Sequence, residues 1–493
     1  MCSEVKIMDS STGHRLVHLD LKGAPPKISY FKQIFPKLRD WGATGLLIEY
    51  EDMFPYTDQF QVLRSPDCYS VEEIKKILQL AEQNNLIVIP LIQTFGHFEF
   101  VLKHNEFSSL RELSEYPMSL CPSKYDSLST VQVLVDQVMK LHPNVKYFHM
   151  GCDEVYHLGL CDDCKKIMEK EKLVVEQLFF SHVNSVATYI KDKYHITPII
   201  WDDMIRFTDV NLLKRSGLAD LVEPMVWHYL TKFMLPPDLF DKLSSVFSNI
   251  WFASAYKGAT GSSMIVTNIS YHIDNHLAWI KVIECERSKF KNIQGIALTG
   301  WQRYDHYAIL CELLPQALPC LALCLQIIQK GAFTPEIHSQ VSKELNFTAL
   351  LPLIPFHISG SECFDCKFSG SNIYMNIINI YHLSSEIDML LNSTGVLTWM
   401  NDYHIKRNFT NPNHIQPIIN EATRLSQCLK DFKKKLITAL KEVFYESTVE
   451  EFIGVYIEPR LTKLTKMVES GSQQLQHFKS KSLTTSSVAM TVE

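Results

Sequence analysis

Eight short apolar runs recur along residues 14–330 of this 493-residue chain, and they constrain its fold more than any other feature. Runs this short, rich in β-branched residues, are typical of strands buried on both faces of a parallel sheet. Amphipathic segments lie between them, such as 71–85, whose apolar residues recur at helical spacing. The pattern predicts an α/β fold with a (β/α)8 TIM barrel over residues 14–330. The runs begin at Arg15, Thr44, Asn85, Val145, Thr197, Asp220, Asn249 and Ile293.

The alternative to a barrel is a doubly wound sheet. Such a sheet more often has fewer strands, and no glycine-rich phosphate fingerprint follows the first run. The rhythm of runs stops near residue 330, where the sequence becomes more charged and helix-rich. We therefore predict a helical C-terminal region over 331–475, a disordered Ser/Thr-rich tail over 476–493 and an N-terminal lead over 1–13.

Composition excludes several classes of protein. The formal net charge of −6 gives no electrostatic footprint for nucleic acid. No apolar run is long enough for a membrane helix, and the first residues lack the apolar stretch of a secretory signal. Thirteen cysteines at irregular spacing suit reduced thiols better than a disulfide framework. These features predict a cytoplasmic protein, with the nucleus as a second location, that binds neither nucleic acid nor membrane.

Carboxylates and aromatic residues follow the ends of the predicted strands. In a barrel of this class the chemistry lies where strands end and βα loops begin. Tryptophans and carboxylates around one mouth are typical of a carbohydrate pocket, because sugar C–H faces stack on rings while carboxylates accept hydrogen bonds from hydroxyls. The residues at these ends are His97, Asp153, Glu154, Trp201, Asp202, Trp227, Tyr229, Tyr256 and Trp301.

The stretch "HMGCDE" at 149–154 resembles the H-x-G-x-D-E motif of the family-20 glycoside hydrolases, the β-N-acetylhexosaminidases. The stretches "QTFGH" (93–97), "WDDM" (201–204), "SAYKGA" (254–259) and "TGW" (299–301) extend the resemblance, which is nearest to the non-secreted branch of the family. It implies an exo-acting enzyme that removes terminal β-linked N-acetylhexosamine residues with retention of configuration. It also implies substrate-assisted catalysis, in which the 2-acetamido oxygen of the sugar is the nucleophile and no cofactor takes part.

The resemblance also implies a role for each residue of the set. Glu154 is the expected acid/base, and Asp153 is the expected partner of the acetamido nitrogen. A neighbouring carboxylate should raise the pKa of Glu154 and keep it protonated near neutral pH. The remaining residues are expected to bind substrate: His97 beside the acid, Tyr256 as a donor to the acetamido oxygen, and Trp201, Asp202, Trp227, Tyr229 and Trp301 around the sugar.

Two departures from the family pattern concern the far end of the sugar. An Arg expected on the first strand is absent, and only Asp20 and Lys22 stand there. A Glu expected after the last strand's Trp is replaced by Gln302, followed by Arg303 and Asp305. The residues that bind the C3 and C4 hydroxyls therefore stay open. So does the choice between N-acetylgalactosamine and N-acetylglucosamine, although the resemblance suggests tolerance of, or bias toward, N-acetylgalactosaminides.

Two other functions fit the same residues. One is a sugar-binding pseudoenzyme that keeps the pocket without catalysis. The other is a retaining glycosidase with a protein nucleophile, for which Asp202, Asp203 and Glu223 are the options. A homodimer is also an open alternative.

A metal site is a separate alternative. The spacing His157-x3-Cys161-x2-Cys164 can begin a zinc site, with Cys121 and Cys152 as further ligands. Because no fourth ligand stands at standard spacing, we predict no metal.

Overall fold

The structure is a computed structural model that describes residues 13–354 and 365–488. The chain divides into two compact units. The first extends to Ser369 and also includes Val443–Ser447, whereas the second comprises Gly370–Glu442 and the residues from Thr448 onward. No helix in the described part of the chain combines the length and apolar content that crossing a membrane requires.

Eight parallel strands close into a barrel in the first unit, which confirms the predicted fold. Each strand bonds to the next barrel strand along the chain, and the last closes on the first through pairs such as Val17 with Leu298. A separate antiparallel hairpin interrupts the sequence between the third and fourth barrel strands. The barrel strands are β1 (His14–Asp20), β2 (Gly45–Glu49), β3 (Ile87–Leu91), β6 (Tyr147–His149), β7 (Thr197–Trp201), β8 (Glu223–Trp227), β9 (Asn249–Lys257) and β10 (Asn292–Gly300), and the hairpin is β4 (Arg111–Leu113) with β5 (Tyr116–Leu120).

Helices connect the strands where the sequence is amphipathic. The helix predicted over 71–85 runs from Val71 to Gln83, and a capping box fixes its start: Ser70 Oγ accepts from Glu73 N at 3.2 Å, and Glu73 accepts from Ser70 N at 2.8 Å. The helices of the first unit are α1 (Ile28–Asp40), α2 (Val71–Gln83), α3 (Glu99–Leu102), α4 (Ser127–Leu141), α5 (Asp162–Glu171), α6 (Val175–Tyr194), α7 (Asp203–Arg206), α8 (Val210–Lys214), α9 (Leu239–Ser244), α10 (Ile269–Glu286), α11 (Leu314–Lys330) and α12 (Pro335–Glu344).

The barrel interior is a packed apolar core rather than a channel. Burying each large side chain there contributes about 1.5–3 kcal/mol, and the rigid core fixes the positions of the strand ends above it. The buried cluster comprises Leu16, Leu47, Ile89, Leu91, Ile199, Trp201, Met225, Trp251, Ala253 and Ala297.

The C-terminal region is helical as predicted, but the boundaries differ. Helix α12 belongs to the first unit because it buries Ile337 and Val341, and Trp41 Nε1 donates to Glu344 at 3.1 Å. The tail predicted to be disordered is helical as far as Val488, since no Pro or Gly interrupts it, and 489–493 lie outside the described residues. The remaining helices are α13 (Ser371–Leu391), α14 (Thr394–Trp399), α15 (Asp402–Lys406), α16 (Pro412–Val443), α17 (Glu446–Tyr456) and α18 (Glu458–Val488).

Candidate active site

A cavity of about 240 Å3 opens where the barrel strands end. Seven of the nine predicted site residues line it, and Asp202 and Tyr256 do not. The lining combines aromatic walls with acidic and basic groups, a set suited to a sugar ring with several hydroxyls. The predicted residues that line it are His97, Asp153, Glu154, Trp201, Trp227, Tyr229 and Trp301.

The backbone around the carboxylate pair adopts left-handed conformations. After β6 ends, Gly151, Cys152 and Glu154 have φ of 66°, 68° and 49°. The φ of Gly151 favours glycine, and a Cβ there would lie 1.8 Å from Gln93 Oε1. Each non-glycine residue in this conformation costs about 1–3 kcal/mol, and such strain clusters at functional sites. The bend presents two adjacent residues, Asp153 and Glu154, to the same cavity.

His97 joins the two carboxylates. Its Nε2 lies 2.9 Å from Glu154 Oε2 and 3.7 Å from Asp153 Oδ2. Its Nδ1 lies 3.7 Å from Glu99 Oε1 on the opposite side. Asp153 is buried, and its Oδ1 has no hydrogen-bond partner among the described residues. A buried carboxylate oxygen without a partner is costly unless a further donor, such as an amide N–H, reaches it.

The electrostatics of the pair differ from the sequence expectation. Burial alone would raise the pKa of Glu154, but hydrogen bonds from His97 and Tyr156 outweigh it, so this pKa is lowered. Burial raises the pKa of Asp153, and the charge of Glu154 adds to that effect. Burial opposes protonation of His97, yet the surrounding carboxylates raise its pKa well above the usual value. These directions favour a proton on His97 rather than on Glu154, where the sequence placed it.

Asp203 contacts the backbone of the carboxylate pair. One of its oxygens accepts from Glu154 N at 2.9 Å and the other from Trp227 Nε1 at 3.1 Å. Burial, followed by the charge of Asp153, raises the pKa of Asp203 to about 7. The acidic doublet after β7 signalled this residue in the sequence, but not which of the two carboxylates faces Glu154.

Asp202 lies away from the cavity. It is fully buried and makes a bidentate ion pair with Arg206, with donor–acceptor distances of 2.8 and 2.7 Å. It also accepts from Trp227 N at 3.2 Å. Helix α7 begins directly after Asp202. Asp203, one helical step further, therefore points toward Glu154, whereas Asp202 contacts Arg206 four positions along the chain.

Tyr256 is also placed away from the cavity. Its buried hydroxyl donates to His18 O at 3.2 Å, and its ring fills the space beside Gly300. Tyr229 lines the cavity instead, with its ring centroid 5.1 Å from that of Trp227. Burial raises the pKa of the Tyr229 hydroxyl, and the charges of Asp153 and Glu154 contribute to the increase. Tyr229 therefore lines the cavity, whereas Tyr256, the expected donor to the acetamido oxygen, does not.

Charged residues that the sequence did not assign also line the cavity. Lys22 Nζ lies 2.8 Å from Asp20 Oδ2 and 3.6 Å from Glu51 Oε1. His306 Nε2 lies 2.5 Å from Glu51 Oε2, and His18 Nε2 lies 3.0 Å from Glu49 Oε2. We call Lys22, Glu49, Glu51 and His306 the polar wall. One feature of the sequence pointed to this wall: the second apolar run ends in the carboxylate of Glu49, within "IEYED".

The two acids of the polar wall differ in pKa. Burial raises the pKa of Glu49 well above its usual value. Burial would also raise that of Glu51, but Lys22 and His306 outweigh it and lower this pKa. A protonated acid and a carboxylate side by side provide both a donor and acceptors, which suits recognition of hydroxyl groups.

Potential metal ligands cluster outside the cavity. Within the described residues, the single group of three or more such side chains is Glu112, Cys121, Cys161 and Cys164, and none of these lines the cavity.

Comparisons with known proteins agree on one family. Residues 32–232 match the catalytic domain of glycosyl hydrolase family 20. Human hexosaminidase D is 41% identical over 469 residues, which cover 93% of this chain and 94% of that protein. Bovine hexosaminidase D is 47% identical over 340 residues, covering 68% and 98%. The solved β-N-acetylhexosaminidase from Bacteroides fragilis shares the fold, with a TM-score of 0.50, 19% identity and coverage of 68% of this chain and 70% of that chain.

Proposed function

The chain belongs to glycosyl hydrolase family 20, and we propose that it is an exo-acting β-N-acetylhexosaminidase that retains configuration by substrate-assisted catalysis. Hydrolysis of terminal N-acetylhexosamine residues follows from the family. The finer mechanism is supported chiefly by one observation: Asp153 and Glu154 are adjacent on a bent backbone and share contact with His97.

In the proposed first step, the acetamido oxygen bonds to the anomeric carbon while the bond to the leaving oxygen breaks. Glu154 donates a proton to that oxygen, and a bicyclic oxazolinium ion forms. Asp153 accepts the acetamido N–H through its unpartnered Oδ1 and balances the positive charge on nitrogen. Tyr229 donates to the acetamido oxygen. Water then bonds to the anomeric carbon while the bond from that carbon to the acetamido oxygen breaks, which regenerates the acetamido group, and Glu154 takes the proton of the water.

The acids offered as protein nucleophiles are all engaged elsewhere. Asp202 pairs with Arg206, and Asp203 accepts from Glu154 N and Trp227 Nε1. Glu223 lies at the start of β8, where it accepts from Trp251 Nε1 at 2.7 Å. A hydrogen-bonded carboxylate that does not face the cavity is a poor nucleophile, and this supports attack by the substrate's own acetamido group.

His97 is proposed to act as a proton reservoir for Glu154. With His97 protonated and Glu154 ionised, the pair holds the same number of protons as neutral His97 beside protonated Glu154. A shift of that proton along the 2.9 Å hydrogen bond from His97 Nε2 to Glu154 Oε2 protonates Glu154 without proton exchange with solvent. Since the carboxylates raise the pKa of His97, the pair keeps its proton to a higher pH than a lone Glu would.

We expect His97→Gln to move the basic limb of the kcat/KM profile to lower pH. The proton is then held by Glu154 alone, whose carboxyl loses it at lower pH than the raised pKa of His97. The measurement is a pH profile of wild type and variant on one aryl substrate. A lowered kcat/KM with an unmoved basic limb would show that His97 only positions the acid.

The polar wall is proposed to bind the hydroxyls at the far end of the sugar. Glu51 and Glu49 lie on the side of the cavity where the family Arg and Glu are missing, and Lys22 and His306 hold Glu51 in place. Glu49 and Glu51 both line the cavity and offer carboxyl oxygens at two neighbouring positions, an arrangement suited to hydroxyl groups of either configuration. We therefore propose that both N-acetylgalactosaminides and N-acetylglucosaminides are accepted.

The function is tested with four nitrophenyl β-glycosides, gluco- and galacto-configured, each with and without the 2-acetamido group. We expect turnover of both acetamido sugars and of neither 2-hydroxy sugar. Glu49→Gln should change the ratio of kcat/KM for the gluco and galacto substrates, while Glu223→Gln, a buried acid outside the cavity, should leave that ratio unchanged. Binding of both acetamido sugars without turnover would favour the pseudoenzyme instead.

A further inference from the structure

Three thiols and one carboxylate meet beyond the loop that carries the catalytic pair. Ligand atoms of Glu112, Cys121, Cys161 and Cys164 all lie within 4.8 Å of one another. Cys121 Sγ lies 3.4 Å from Cys161 Sγ and 3.5 Å from Cys164 Sγ, and Cys164 Sγ lies 3.2 Å from Glu112 Oε2. We call these four residues the thiol cluster.

The thiol cluster is assembled from three separate segments. Glu112 lies on β4, Cys121 follows β5, and Cys161 and Cys164 stand at the start of α5. Cys161 caps that helix, and its Sγ accepts from Cys164 N at 3.3 Å. A helix N-terminus favours an anionic sulfur, because its backbone N–H groups point toward it.

Glu112 is held so that one oxygen faces the thiols. Its Oε1 accepts from Leu160 N at 2.7 Å and from Cys161 N at 2.9 Å, which leaves Oε2 toward Cys164. Both Glu112 and Cys164 are buried. A preorganised buried carboxylate aimed at sulfur atoms is unusual unless a cation lies between them, since buried charges are normally paired or bound to metal.

Lys124 is the positive side chain whose charge reaches Cys121 and Cys161, but it does not contact Glu112 in an ion pair. Lys124, the nearby cation in sequence, makes its ion pair with Asp163 at 2.6 Å. Within residues 13–354 and 365–488, no Lys or Arg forms an ion pair with Glu112. The cluster therefore brings four potential metal ligands together, and none of the Lys or Arg ion pairs among the described residues includes its carboxylate.

We propose that Glu112, Cys121, Cys161 and Cys164 bind a structural Zn2+ ion. Two thiolates on tetrahedral zinc are about 3.7 Å apart, close to the sulfur–sulfur distances here, and soft thiolate ligands favour zinc. Four protein ligands close the coordination sphere, as in a structural site rather than a catalytic one. Binding displaces the thiol protons to solvent and leaves the oxidation state of each sulfur unchanged.

The cluster differs from the zinc site considered from the sequence. His157 stacks on Tyr116, with ring centroids 4.4 Å apart, and Cys152 Sγ lies 3.2 Å from Thr94 Oγ1. Neither belongs to the cluster. The missing fourth ligand is Glu112, which stands 49 positions before Cys161 and could not be recognised by spacing.

The ion would tether the catalytic loop without touching the substrate. Asp153 and Glu154 lie between β6 and α5, so the N-terminus of α5 anchors the far end of their loop. Zinc would join that end to the β4–β5 hairpin. This role is independent of the proposed glycosidase mechanism, and the ion takes no part in the reaction.

The test is the metal content of the full-length purified chain, measured by plasma mass spectrometry after dialysis. We expect about one zinc ion per chain in wild type. Cys161→Ser should lose it, whereas Cys428→Ser, which changes another half-buried cysteine outside the cluster, should keep it. X-ray absorption at the zinc edge should show a sulfur-rich shell in wild type.

Glu112→Gln serves as the second variant, because its amide oxygen can still accept from the two backbone N–H groups. We expect it to fold and to release zinc to a colorimetric chelator at least tenfold faster than wild type, as expected when a charged ligand is lost. Three outcomes would overturn the proposal: wild type without stoichiometric zinc, zinc retained equally in Cys161→Ser, or an intact mass showing a Cys121–Cys161 disulfide in freshly purified protein.

Discussion

Glu154→Gln is expected to lower kcat/KM about 10²–10⁴-fold on N-acetylhexosaminides with poor leaving groups, and much less on activated aryl glycosides. A leaving oxygen of high basicity needs a proton as the bond breaks, and the amide cannot supply one. An aryl oxide departs without that help. The measurement is kcat/KM for a series of substrates graded by leaving-group pKa, on wild type and variant.

The aryl substrate also supplies an internal control. In the variant the second step lacks its base, so the oxazolinium accumulates, and added azide, which attacks without a base, should raise turnover. Wild type should respond little to azide. Equal losses across the leaving-group series, with no azide effect, would move the acid role away from Glu154 and toward His97 or Tyr156, both hydrogen-bonded to it.

The second large effect concerns the nucleophile. Replacing the 2-acetamido group by hydroxyl should remove measurable turnover, since the proposed attack comes from that group. A thiazoline analogue of the bicyclic intermediate should bind much more tightly than the product sugar, because enzymes bind structures close to the transition state best. Asp153→Asn should cost about 10²–10³-fold in thiazoline affinity, since a neutral amide cannot balance the charge on the ring nitrogen.

Glu49→Gln is the matched control for this measurement. It changes a buried acid of the same cavity, but on the polar wall, so it should weaken thiazoline and product sugar by similar factors. Asp153→Asn should instead reduce the ratio of thiazoline affinity to product-sugar affinity. Efficient cleavage of the 2-hydroxy sugar together with no thiazoline inhibition would refute substrate assistance and reopen the search for a protein nucleophile.

The sequence by itself determined the barrel and the rim on which the site lies. Strand periodicity is a local property, and apolar runs without alternation require a sheet covered on both faces. The residue that follows a barrel strand must lie near the active end. For this reason His97, Asp153, Glu154 and Trp301 could be placed around one cavity before any side-chain direction was known.

Only the tertiary structure decided where side chains at those ends point. Backbone φ at Cys152 and Glu154 is left-handed, and a reversal of this kind is set by contacts with the β3 loop rather than by local propensity. The start of α7 turned Asp202 toward Arg206 and Asp203 toward Glu154. Contact with His97 reversed the expected pKa shift of Glu154.

Groups assembled across long sequence distances also required the fold. Glu51 and His306 meet 255 positions apart, and Glu112 meets Cys164 across 52. No periodicity or spacing rule connects such residues, because barrel closure and the β4–β5 hairpin bring them together. The sequence determined which chemistry stands at each strand end, and the tertiary structure alone decided which of those groups share a hydrogen bond.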